Sequence, residues 1–88
     1  MRAFADLVKA DPDGGGNAFF DARYSPATIC MAMTGDRLSR SRWIQFQKAI
    51  PEDAMRQELF AFYAEIRAGE EPRNRAAALN ARLAKLVN

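Results

Sequence analysis

The chain has 88 residues, 49% of them hydrophobic and 27% charged, with a formal net charge of +2. That length suits one domain, and that composition suits a folded chain rather than a disordered tail. The absence of histidine removes the commonest general base and metal ligand, and a lone cysteine, Cys30, excludes an internal disulfide.

The N-terminus, "MRAFADLVKADPD", places Phe4, Leu7 and Val8 at helical spacing, which predicts a short first helix. Acids follow closely and no small-residue cleavage site appears, so no signal peptide is expected. "DPDGGG" stops that helix, because Pro12 cannot continue it and three glycines carry high backbone entropy. A phosphate-binding loop would need a lysine and a hydroxyl after the glycines, where Asn17 and Ala18 stand. A calcium loop starting at Asp11 would fit Asp13 and Gly16, but it would put Gly15 and Ala22 where ligands are required. Residues 11–16 therefore read as a flexible connection. Asn17 is expected to cap a short helical turn through "AFFDARY", with Phe19 and Phe20 about 100° apart, so that one of them lies near the surface.

"SPATICMAM" offers Ser25 as a helix cap and Pro26 as a first helical residue, and Thr34-Gly35 closes the helix. Cys30, between Ile29 and Met31, reads as a small buried hydrophobe. With no histidine to activate it, no nucleophile is expected. "LSRSRWIQFQKAI" is the next helix, ended at Ile50 by Pro51. Trp43, Phe46, Gln47 and Ile50 share one face there, which makes Trp43 a core residue.

From Pro51 the spacing of Met55, Leu59, Phe62 and Ile66 marks a long helix, with Gly69 as its stop. Glu52 and Asp53 complement the dipole of its first turn. A final helix, "RAAALNARLAKL", turns Ala76, Leu79, Leu83 and Leu86 inward and sets Arg75, Arg82 and Lys85 on another side. The predicted architecture is all-α: one domain, a small bundle of four to five short helices.

The charges fall in blocks. Residues 36–50 carry Arg37, Arg40, Arg42 and Lys48 against Asp36 alone. Residues 51–71 carry six acids against Arg56 and Arg67, and residues 72–88 carry Arg73, Arg75, Arg82 and Lys85 with no acid. Such blocks are either helix faces that attract one another inside the fold or basic surfaces for an anionic partner.

"SPATICMAMTGDRLSRSRWIQF" resembles a helix-turn-helix module, whose second helix enters the major groove of DNA. The resemblance implies a turn at Gly35 and contacts from Arg37, Ser39, Arg40, Ser41 and Arg42. It departs in a longer turn, "TGDR", and in lacking the customary alanine before the glycine. "GEEPRNRAAALNARLAKL" resembles the closing segment of helical modules in plasmid and phage replication proteins, which implies that Asn74 caps the last helix and that the chain acts in a mobile element.

The expected function is therefore non-enzymatic binding of nucleic acid or of a nucleoprotein complex, with no cofactor and no metal. The binding residues are Arg37, Ser39, Arg40, Ser41, Arg42, Lys48, Arg73, Arg75, Arg82 and Lys85. The alternative is a protein–protein module, an inhibitor or adaptor that uses the same charges. No apolar run approaches the roughly 20 residues that span a bilayer, and a reducing cytoplasm is the expected compartment. So short a chain is modestly stable unless a partner or a second copy adds contacts, and a homo-oligomer fits that expectation.

Overall fold

Four helices make up the bundle in the computed structural model, which describes residues 18–36 and 38–87. They are α1 (Pro26–Thr34), α2 (Arg40–Ala49), α3 (Glu52–Arg67) and α4 (Arg75–Ala84), and no strand occurs among the described residues. The expected first helix and the glycine connection at 11–16 lie outside the described residues, as do Asn17 and Arg37. Among the described residues no helix is long and apolar enough to cross a membrane.

Helix α1 is the hub, in contact with each of the other three helices. Thr28 is its one exposed residue; Ala27, Ile29, Cys30 and Met33 are buried. A helix surrounded in this way must satisfy the N–H groups of its first turn from inside the protein. Pro26 has none to satisfy, Ala27 donates to the Gln47 side chain of α2 at 2.9 Å, and Thr28 donates to Ser25 Oγ at 3.2 Å. Gly35 closes α1 in the left-handed region at φ 70°, its N–H donating to the Met31 carbonyl.

Helix α3 buries Met55, Leu59, Phe62 and Ile66 on the expected stripe and adds Tyr63, packing against α1 and α4. Leu79 and Leu83 of α4 complete the core, and Asn74 Oδ1 caps α4 by accepting from Ala77 N–H at 3.0 Å. Gly69, at φ 95°, ends α3. Its N–H donates to the Ile66 carbonyl and the Glu70 N–H to the Glu65 carbonyl, the paired bonds of a glycine-closed helix end.

The segment before α1 corrects the expectation of a helical turn through residues 18–24, which instead form successive turns. A helix would pair the Phe19 carbonyl with the Arg23 N–H. Here the Arg56 guanidinium donates to the Phe19 carbonyl at 2.7 Å, while the Arg23 N–H donates to the Asp21 carboxylate at 2.9 Å. The Arg23 side chain also donates to that carboxylate, and these bonds hold the Asp21 carboxyl below its ordinary range. The turns seat Phe19, fully buried, against Phe60 and Tyr63, and leave Phe20 half exposed.

Candidate functional site

The turn between α1 and α2 is held by its own side chains. Thr34 Oγ1 accepts from Asp36 N–H at 3.1 Å, and Asp36 Oδ1 accepts from Ser39 N–H at 3.2 Å. The Trp43 indole N–H donates to the Asp36 carbonyl at 3.2 Å, so the buried indole ties the first turn of α2 to the end of α1. These bonds place the helix start at Arg40, two residues later than the apolar pattern indicates. Ser39 precedes α2 and its side chain does not cap it.

Trp43 is the one buried residue of α2, with Ile44, Phe46 and Gln47 half buried beside it. Arg40, Ser41, Arg42, Gln45, Lys48 and Ala49 are exposed. The helix has no acidic residue, and Arg40, Arg42 and Lys48 form no ion pair with a described residue. The first turn has neither a side-chain cap nor an acid, so the positive end of the helix dipole adds to Arg40 and Arg42.

The last basic block is arranged differently. Arg82 donates to Glu58 at 2.5 Å and to Glu65 at 2.8 Å, and its guanidinium lies 5.3 Å from the centre of the Phe62 ring. Arg75 donates to Glu71 at 2.7 Å and to the Met33 carbonyl at 3.1 Å, which brings it to the end of α1. Both arginines are thus drawn into the fold by the acidic block. Arg73 and Lys85 remain exposed. The structure therefore separates two sets that look alike in sequence: Arg40, Arg42 and Lys48, exposed on α2 with no ion pair to a described residue, and Arg75 and Arg82 in internal contacts.

Two features beside α2 carry apolar character. Leu38, just before the helix, is fully exposed. An open groove of about 300 Å³ is lined by Arg42, Gln45, Phe46, Ala49 and Val87, which brings the chain end alongside α2. Gln45, absent from the expected site, is the residue this geometry adds. Its offset of two from the inward Gln47 puts the two amides on opposite sides of the helix, a separation that the helical period alone makes readable.

No buried side-chain nitrogen or oxygen among the described residues lacks a hydrogen-bond partner, so the polar groups free to meet another molecule are at the surface. Cys30 is buried, and burial pushes its thiol up to about 12, far from the ionised form that reacts. The chain matches no protein-family model, no curated protein and no solved structure.

Proposed function

We propose that this protein binds nucleic acid through the outer face of α2. One observation carries the reading: Arg40, Arg42 and Lys48 stand exposed, with no ion pair to a described residue, on a helix with no acid, while Arg75 and Arg82 are satisfied inside the fold. Cations left without a partner raise the local concentration of a polyanion and exchange its counterions for protein contacts. A turn braced by Asp36 and Trp43 presents the helix without loss of order on binding. An accessory role in a phage, plasmid or similar element is the setting implied by the likeness of residues 69–86 to replication-protein segments.

A mobility-shift titration at two salt concentrations tests the reading. Wild type retards nucleic acid at about 50 mM salt and loses affinity steeply as salt rises, in proportion to the phosphates contacted. The Arg40→Glu/Arg42→Glu variant binds none, with its helical signal unchanged. Failure of wild type to retard any duplex or single strand at about 50 mM salt, where non-specific binding is strongest, ends the proposal. The fully exposed Leu38 beside Arg40 and the groove along Phe46 and Val87 favour a second reading, an adaptor for an acidic protein. In that case the same double reversal breaks a protein complex and no nucleic acid is shifted.

A further inference from the structure

The groove beside α2 is built from one flank of that helix. Arg42, Gln45, Phe46 and Ala49 follow the three-and-four spacing that puts side chains on a common face, and Val87 completes the lining. Phe46 is half buried, and its ring centre lies 6.3 Å from that of Trp43. The Trp43 indole is itself buried and tied to the Asp36 carbonyl. The Phe46 ring is thus backed by a fixed neighbour and is in place before anything binds. No acidic side chain lines the groove, and neither Arg42 nor Gln45 has a hydrogen bond or ion pair with a described residue.

At about 300 Å³ the groove stands at the lower limit of ligand-binding clefts, which run from about 300 to 1,000 Å³, so it admits one flat ring. An aromatic ring, an amide and a guanidinium are groups with which proteins hold an unpaired base. The ring stacks on its face, the amide bonds its edge, and the guanidinium meets an adjoining phosphate. The Gln45 amide offers one acceptor and two donors to that edge. A base inside a duplex cannot use the ring, because its neighbours in the stack cover its faces. An apolar side chain of a protein partner would fill the space over Phe46, Ala49 and Val87 but leave the Gln45 amide unused. The charge favours a strand as well. Arg42 stands in the groove itself, and Lys48 lies about 60° round the helix from Gln45, on the side away from Phe46, within the path of a backbone that runs past the site.

We infer that this groove takes one unpaired base of a single-stranded nucleic acid, with its face on the Phe46 ring, its edge on the Gln45 amide and an adjoining phosphate on Arg42. This rests on the nucleic-acid reading above and deepens it, from the charge of the partner to its single-stranded state and the seat of one base.

The test uses the full chain and three fluorescently labelled probes of equal length at equal salt: a DNA strand, the duplex that contains it, and an abasic strand with the same phosphates and no bases. Wild type binds the base-bearing strand at least about fivefold more tightly than either the duplex or the abasic strand, the range expected for one stacked base. Phe46→Leu, which keeps an apolar side chain and loses the ring, brings the ratio of base-bearing to abasic affinity to within about twofold of one. Ala49→Leu fills the groove and does the same. Ala49 is exposed, so this second variant carries the test even if melting curves show that Phe46→Leu unfolds. Arg42→Gln weakens both strands and lowers the slope of log affinity on log salt by about 0.7, the value for one phosphate of a single strand. Abasic strand or duplex bound as tightly as the base-bearing strand, or a wild-type ratio in Ala49→Leu, overturns the inference and leaves the proposed function standing. No binding of any of the three probes by wild type ends both.

Discussion

Arg56 is a buried arginine whose work is mechanical. Its guanidinium donates to the carbonyls of Phe19 at 2.7 Å and Asp21 at 3.4 Å and to the Glu52 carboxylate at 3.0 Å. Arg56→Ala leaves the Phe19 carbonyl without that donor inside the protein, at a cost of about 1–3 kcal/mol. Arg56→Lys recovers little, because a point-charge ammonium does not reproduce the fork of donors. Thermal melting and faster proteolysis at residues 18–24 measure both effects. In sequence Arg56 shows only as one of two cations in the acidic block; the carbonyl that defines its role comes from 37 residues away. Cys30 was legible from its apolar neighbours alone. Burial raises its thiol from 9.0 to about 12, so the neutral form is favoured in the folded chain. The associated stability is complete below the unfolded value near 9.0 and is lost as pH climbs toward about 12, because the unfolded chain ionises first. Melting temperature therefore falls on going from neutral to strongly alkaline buffer, and falls less in Cys30→Ala than in wild type.

At the level of single elements, the helix ends were legible because they are local. Ser25-Pro26, Gly35, Gly69 and Asn74 each act within a few residues, and each stands at the predicted end. Gly69 tests how much one such stop contributes. A Cβ there would meet open space, so the cost of Gly69→Ala is the left-handed backbone alone, about 1–2 kcal/mol in a melting experiment. Gly69→Asn costs less, since asparagine tolerates that conformation. The start of α2 and the turns of 18–24 were not legible. Both depend on bonds across elements, from Trp43 to Asp36 and from Arg56 to Phe19, that no local pattern announces.

Across the whole molecule, the apolar stripes of α3 and α4 settled the fold class, and charge sorting could be seen only once those helices were packed. Arg82 and Arg42 are equivalent as letters; one meets Glu58 and Glu65 and the other meets solvent. Arg82→Gln therefore lowers the melting temperature slightly, since partly exposed pairs contribute about 0–1 kcal/mol each. Leu59, fully buried on α3, sits in the shared core. Leu59→Ala costs about 2–5 kcal/mol, a large share of the roughly 5–15 kcal/mol that stabilises a domain. Fluorescence of the single Trp43 follows that unfolding.

The position of α1 at the hub also sets a hierarchy of opening. A helix that touches three others cannot be exposed without separating all of them, so the backbone amides of Ile29, Cys30 and Met33 exchange with deuterated solvent only when the entire domain comes apart. Helix α2, which packs chiefly on α1 and buries Trp43 alone completely, has a cheaper route: it peels away while the rest stays folded, and its amides exchange first. On the proposed function, a bound polyanion therefore slows deuterium uptake in α2 ahead of any other helix.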